Sequence, residues 1–254
     1  MSNCSGSGRF GNQFIRCVAF SLIAEKHDLC VTYQNHKEIE QLGVKLYTGN
    51  NQFDKNVTLV DTNFIDILDK ESIDFNLITN PRAYFQTKII SDKIFEHLQS
   101  NDVMNNIVTN NIHKDRYTNN NDCFVHIRLG DVEKYNPGVK YYDDILAGLS
   151  CDNIFVSSDT ENHRIIKTLR EKYPNLKIYK SSIEDTITFA STCKHVILSY
   201  GTFSATIGYL SFHSQVYCVR FCKKYAWDWS SRTRNEDDMF QGKRSKIAEW
   251  KVCG

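Results

Sequence analysis

Cys123-Phe124-Val125-His126-Ile127-Arg128-Leu129-Gly130-Asp131 is the most informative run in this chain. Residues 123–129 read as a buried strand, apolar except at two positions. Those two, His126 and Arg128, are two apart, so they leave the same face of a strand. Both stand at its carboxyl end, where Gly130 breaks the pattern. In an open α/β sheet, ligands bind just outside the carboxyl ends of the strands. A permanently charged guanidinium placed there needs an anion to offset its desolvation. The anion is either a ligand or an internal carboxylate such as Asp131, and the surrounding sequence favours the ligand.

Outward from this run, the second half of the chain alternates. Strands are predicted at 123–129, 153–157, 176–179, 195–199 and 215–219. Helices are predicted between them at 141–149, 161–172, 185–192 and 203–212. Strands alternating with helices imply a parallel, Rossmann-like sheet, hence an α/β fold. The first half is less regular. Apolar residues at Phe14, Ile15, Val18, Ala19, Leu22 and Ile23 have helical spacing over 11–28. Strands are expected at 29–33, 57–60 and 84–86, and helices at 38–42, 63–68 and 88–98. Asn and Asp crowd residues 101–122, and such side chains compete with the backbone and favour loops. A domain boundary near residue 118 follows, giving domains 1–118 and 119–254; the alternative is one long surface loop within a single domain. The tail beyond Phe221 carries Trp227, Trp229 and Trp250 and is expected to pack back on the first half.

The chain has 254 residues, enough for one large α/β domain or two smaller ones. Its 31 basic and 30 acidic residues nearly cancel, which leaves no electrostatic footprint for nucleic acid. No apolar run approaches the length of a membrane span. The first eight residues lack the apolar core of a signal peptide. Nine cysteines, scattered without C-x-x-C spacing, suit a reducing compartment, and a cytoplasmic location is expected.

Two further stretches point to anions. Gly6-Ser7-Gly8-Arg9-Phe10-Gly11 matches G-x-G-x-x-G and opens a helix. A dinucleotide site is disfavoured, because no apolar strand is read before it and Gln34-Asn35 stand where an acidic residue is expected. What remains is a glycine-rich turn at a helix N-terminus, with Asn12 and Gln13 as extra amide donors. Tyr200-Gly201-Thr202-Phe203-Ser204 likewise follows a strand and opens a helix, and its hydroxyls either cap that helix or bind phosphate. Asp159 and Asp185 each begin a predicted helix, so each is a cap or a ligand contact. Asp-x-Asp and G-x-x-x-x-G-K-[ST] are both missing, so neither a metal–nucleotide acidic pair nor a P-loop is expected.

Together these motifs resemble the α-1,2-fucosyltransferase family. Gly8-Arg9-Phe10-Gly11-Asn12-Gln13-Phe14 is similar to its G-G-x-G-N-Q-x opening, and His126-Ile127-Arg128-Leu129-Gly130-Asp131 to its H-x-R-x-G-D motif. Phe155-Val156-Ser157-Ser158-Asp159 resembles its F-x-S-D segment. The run from Glu184-Asp185 to Gly201-Thr202-Phe203-Ser204 resembles its last block. The resemblance implies a GT-B fold, two Rossmann-like halves facing a cleft, the first on the acceptor side and the second binding the nucleotide sugar. It implies inverting transfer of fucose from GDP-fucose to a glycan acceptor, with no metal and no cofactor beyond the donor. Arg128 would hold the donor diphosphate, and Thr202, Phe203 and Ser204 its phosphates. His126 and Asp185 would lie near the guanine-ribose, Asp159 would line the cleft, and Gly11 and Asn12 would close it. Two departures stand out: Gly8-Arg9 replaces a glycine pair, and Leu129 stands where a second basic residue is common.

Glycosyl transfer builds negative charge on the leaving diphosphate, so a fixed positive group there is the largest aid. Arg128 fits that role. The acceptor hydroxyl must also lose its proton, and Asp131 or Glu133 is the nearby base, unless Asp131 only orients Arg128. Two rival readings stay open. One is a same-fold transferase using another GDP-sugar or a UDP-sugar. The other is a non-catalytic sugar-nucleotide or glycan-binding protein.

Overall fold

The computed structural model describes residues 1–219 and 251–253. The chain divides into two compact units. The first is Met1–Thr109, and the second begins at Asn110. The expected packing of Trp227, Trp229 and Trp250 lies outside the described residues. Each unit is a parallel sheet with helices, so the described residues form an α/β structure.

The first unit contains β1 (Ser2–Cys4), α1 (Phe10–His27), β2 (Val31–Tyr33), α2 (His36–Glu40) and β3 (Asn56–Leu59). It continues with α3 (Phe64–Leu68), β4 (Asn76–Thr79), α4 (Lys88–Leu98) and α5 (Asn101–Asn110). Its strands run in the order β2-β1-β4-β3, all parallel. The helical spacing read in α1 is the buried face: Phe14, Ile15, Val18, Ala19 and Ile23 are 0–1% exposed. Burying each large side chain of this set contributes about 1.5–3 kcal/mol. Asp28 ends the helix in the left-handed conformation, and its N–H bonds back to the Ala24 carbonyl.

Three expectations need correction here. A strand does precede the glycine-rich turn: β1 pairs with β2 and β4. It escapes a hydropathy reading because its inward residues are small, and the Ser2 hydroxyl is satisfied by the Leu77 N–H at 2.9 Å. The strand expected at 84–86 is a loop. Phe85 sits at φ 53°, and the Asp61 carboxyl collects backbone N–H groups of Phe85, Gln86 and Tyr84, while its burial raises its pKa. The sheet instead takes Asn76–Thr79. Finally, the Asn-rich stretch begins as a helix, α5. Ile107 is buried, and Asn106 Nδ2 donates to the Gly43 carbonyl at 2.6 Å rather than to its own backbone.

The second unit contains β5 (Cys123–Ile127), α6 (Val139–Leu146), β6 (Ile154–Ser158), α7 (Arg164–Lys172) and β7 (Leu176–Ile178). It continues with α8 (Ile183–Ala190), β8 (His195–Leu198), α9 (Thr202–Leu210), β9 (Gln215–Val219) and β10 (Lys251–Cys253). The strand order among the described residues is β10-β9-β8-β5-β6-β7, again all parallel. All five residues of β5 are buried, which explains their near-continuous apolar character. Val125 and Ile127 pack with Tyr142, Ile145, Ile166 and Leu169. The segment before β5 belongs to this unit: Asn111 Nδ2 donates to the Thr188 carbonyl at 3.0 Å, and Arg116 pairs with Asp122 at 2.7 Å.

Candidate functional site

The chain leaves β5 toward β6 and β7 on one side, then crosses to β8 and β9 on the other. The strand order therefore reverses between β5 and β8. A reversal of this kind opens a crevice at the carboxyl ends of the two strands, which is where α/β sheets bind ligands. The β5 exit carries Arg128, and the β8 exit carries Ser199 and the start of α9.

Strand β5 ends at Ile127, so Arg128 is the first residue beyond it. Its backbone N–H donates to Ser199 Oγ at 2.9 Å, which ties the two exits together. Its carbonyl accepts from Asn136 Nδ2 at 2.9 Å. Its guanidinium pairs with two carboxylates, Asp131 and Asp159. The Arg128 side chain is 15% exposed, Asp159 26% and Asp131 60%. The internal ion pair weighed from the sequence is thus present, and Asp131 does orient Arg128. Asp159 does not cap a helix. Its Oδ1 accepts the Leu129 N–H at 2.8 Å, and α7 is capped instead by His163, whose Nδ1 accepts from the Ile165 N–H. Gly130 permits this arrangement: a Cβ there would lie 2.5 Å from Asp159 Oδ2.

Behind Arg128 lies a buried polar network. His126 Nδ1 is 2.6 Å from Ser204 Oγ and 3.4 Å from Ser199 Oγ, and the two hydroxyls are 3.1 Å apart. Burial, reinforced by the Arg128 charge, pushes the His126 imidazole down to about 3, so the ring is neutral at physiological pH. The Phe203 ring covers it at 5.0 Å. The Ser204 hydroxyl is therefore spent on His126 and Ser199 and is fully buried. Thr202 is the first residue of α9, whose cap position is Gly201. The N–H groups of that first turn have no intrahelical acceptor and point toward negative charge.

No family profile matches this sequence, and no curated protein matches it. Among solved structures, NodZ α-1,6-fucosyltransferase, from a crystal soaked with GDP-fucose, has a similar backbone. It is 12% identical to this chain, with a TM-score of 0.44 over 83% of this chain and 90% of that one.

The other expected site residues fall elsewhere. Asp185 sits in the first turn of α8, where its N–H bonds to the capping Ser182 hydroxyl at 3.1 Å. His113 Nε2 reaches its Oδ1 at 2.8 Å, and the Tyr179 hydroxyl donates to its Oδ2 at 2.6 Å. Burial works against the ionised form, but hydrogen bonds from Ser181, Tyr179 and His113 hold the carboxyl below its usual range. Tyr179 stacks on Phe189 with ring centres 4.2 Å apart, and Arg116 covers the Phe189 ring at 4.4 Å. Gly11 and Asn12 belong to the first unit. Asn12 Oδ1 accepts from Gln86 Nε2 at 2.9 Å. Glu133, the other carboxylate near the motif, is 60% exposed and meets His163 Nε2 at 2.8 Å.

Ser199 is the residue that sequence reasoning undervalued. A fully buried hydroxyl just past an otherwise apolar strand is a legible signal, because it must find partners. His113 and Tyr179 carry no such signal. The link from His113 to Asp185 spans 72 residues and follows only from the tertiary fold. Among the described residues, no group of three or more His, Cys, Asp or Glu side chains could hold a metal ion, and no helix is long and apolar enough to cross a membrane.

Proposed function

We propose that the second unit binds the diphosphate of a nucleotide sugar, with GDP-fucose as the donor, and that the chain transfers the sugar to a glycan hydroxyl. The observation that carries this reading is the position of Arg128 at the strand-order reversal, fixed through Ser199 and flanked by the N-terminus of α9. The two Rossmann-like units in one chain support a GT-B assignment on the same footing.

The chemistry follows from the charges. As the anomeric C–O bond breaks, negative charge accumulates on the diphosphate oxygens. Arg128 presents a planar fork of N–H donors matched to them. The exposed Asp131 pairs with that fork. A carboxylate open to water contributes little as an ion pair, so a diphosphate displaces it, while Asp159 stays anchored through the Leu129 N–H. Asp131, once released, is the carboxylate next to the reacting centre and takes the acceptor hydroxyl's proton. Inversion follows from acceptor attack opposite the leaving group. Arg128 and the α9 dipole supply the positive field that a metal would otherwise provide.

A second reading has its own observation. Leu129 is buried at 1% exposure, so it offers no second positive charge at the diphosphate. A single cation fits a same-fold transferase that uses another GDP-sugar or a UDP-sugar. Thermal unfolding with GDP-fucose, GDP-mannose, GDP, UDP and UDP-sugars separates these readings, since a ligand of the native state raises the melting temperature by mass action. The expected result is a rise with GDP-fucose and GDP. A rise with none of them contradicts a nucleotide-sugar site.

A further inference from the structure

The carboxyl ends of the second sheet carry Arg128, and its amino ends carry thiols. Cys123 is the first residue of β5 and is 0% exposed. Strand pairing sets it beside Ile154 of β6 on one side and His195 of β8 on the other. Cys151 precedes β6, and Cys193 precedes β8. On the β6 side the pairing continues beyond the strands. The Asp152 N–H donates to the Asn121 carbonyl at 3.0 Å, the Cys123 N–H to the Asn153 carbonyl at 2.9 Å, and Asn121 Nδ2 to the Ser150 carbonyl at 2.6 Å. These bonds hold residue 151 against the start of β5. Cys151 packs there on the core cluster that contains Cys123, and the Cys123 thiol donates a hydrogen bond to its sulfur. Cys151 is only half-buried, so this pair is open to solvent from one side.

The two thiols are not equivalent. Burial raises Cys123 and keeps it protonated. Cys151 is lowered, first by the hydrogen bond from Cys123 and then by the Lys194 charge, which together outweigh its burial and the charges of Asp122 and Asp152. Lys194 Nζ donates to Asn121 Oδ1 at 2.9 Å, which fixes the ammonium at this end of the sheet. The thiolate is the nucleophilic form of cysteine, so Cys151 is the reactive member. The neighbouring and comparable thiols differ. The sulfurs of Cys4 and Cys17 are 3.8 Å apart, but these residues are 0% and 1% exposed, and burial raises Cys4. Cys193 is buried and pushed up to about 12 by that burial, although Arg116 Nη2 lies 3.7 Å from its sulfur.

We propose that Cys151 is a modification site for hydrogen peroxide and that Cys123 is its resolving partner. The Cys151 sulfur attacks one peroxide oxygen. An S–O bond forms, the O–O bond breaks, and the departing hydroxide takes a proton from solvent to become water. The sulfur is oxidised by two electrons to a sulfenic acid, and the peroxide is reduced. The Cys123 sulfur then attacks Cys151 Sγ. An S–S bond forms, the S–O bond breaks, and the hydroxide leaves as a second water with the Cys123 proton. One peroxide and two thiols thus give one disulfide and two waters. A dithiol reductant reverses the bond by exchange. The site lies at the opposite ends of the strands from Arg128 and does not rest on nucleotide binding.

The test is disulfide mapping on the full native chain. The reduced protein is treated with hydrogen peroxide at neutral pH, the remaining thiols are blocked with N-ethylmaleimide, and the unreduced digest of the monomer fraction is read by mass spectrometry. A Cys123–Cys151 cross-link is expected, and dithiothreitol should remove it. Cys4 and Cys17 should remain thiols, with Cys151 lost at least about ten-fold faster than either. Cys123→Ser should stop the reaction at the Cys151 sulfenic acid, which dimedone captures. Cys151→Ser, at the half-buried position, decides the matter if the buried substitution fails to fold: it should abolish the cross-link and leave Cys123 reduced. Oxidation of Cys151 no faster than Cys4 or Cys17 overturns the proposal. So does a cross-link from Cys151 to Cys193 or another cysteine in place of Cys123, or a Cys123 that oxidises equally in Cys151→Ser.

Discussion

Replacing His126 with Gln should remove a pH dependence of stability that the native chain carries. An unfolded histidine takes up a proton near pH 6.5. In the folded chain the His126 ring stays neutral down to about 3, because it is buried and faces the Arg128 charge. Between these values the unfolded state binds one more proton than the folded state. Stability therefore falls as pH falls through this window, by about 1.4 kcal/mol per pH unit once well below 6.5. Between pH 7 and pH 4.5 the loss amounts to roughly 2–3 kcal/mol, a sizeable share of a typical domain's ~5–15 kcal/mol. Gln keeps an amide that can reach Ser204 but does not titrate. It will cost stability at pH 7, since the Ser199 and Ser204 hydroxyls lose an ideal partner. The slope is the readout, not the offset. Urea unfolding of both proteins at pH 7, 6, 5 and 4.5 gives it, and the carboxylates common to both cancel in the difference. Parallel pH profiles would show that His126 is not held neutral, and the network behind Arg128 would have to be redrawn.

Three further outcomes follow from the same geometry. Sugar transfer, or donor hydrolysis, should survive excess EDTA, because the sequence lacks an Asp-x-Asp pair and Arg128 with the α9 N-terminus supplies the positive field; a strict Mg²⁺ or Mn²⁺ requirement would contradict this. GDP should outbind UDP by roughly ten-fold, the value of about one well-made polar contact, with Asp185→Asn erasing the difference; equal affinities in the native chain would remove Asp185 from base recognition. Its oxygens already accept from His113, Tyr179 and Ser181, which leaves one lone pair for a guanine donor. Gly130→Ala should cost about 1–3 kcal/mol in urea unfolding and weaken nucleotide binding, since its methyl would stand 2.5 Å from Asp159 Oδ2 and force the Arg128 pair apart; unchanged binding would mean the pair is not needed.

The second unit was largely legible because its central strands are buried on both faces and its helices are amphipathic. The pattern 123–129, 153–157, 176–179, 195–199 and 215–219 corresponds strand by strand to β5 through β9. The position of Arg128 at the carboxyl end of β5 could be read for the same reason: the apolar run locates the strand, and Gly130 marks where it stops. The first unit was harder. β1 is three residues long and mostly polar, and the hydroxyl of its inward serine accepts from Leu77, a residue 75 positions away. Phe85 in the left-handed region turned an apparent strand into a loop, and no local pattern announces that. The role of Asp159 was equally hidden. As a helix-opening residue it looked like a cap, but His163 took the cap and left Asp159 for Arg128. Arg16 gave a signal that periodicity alone does not interpret, a basic residue inside the apolar face of α1.

The central claim is that Arg128 binds a donor diphosphate. Isothermal titration of GDP into the native chain, Arg128→Ala and Arg128→Lys tests it most directly. Two charge-assisted hydrogen bonds of about 1.5–3 kcal/mol each are lost with the guanidinium, so Ala should weaken GDP at least a hundred-fold. Lys should recover little, because a point charge does not match a bidentate fork. GDP binding to Arg128→Ala within a few-fold of native, with the variant folded by circular dichroism, would contradict the account.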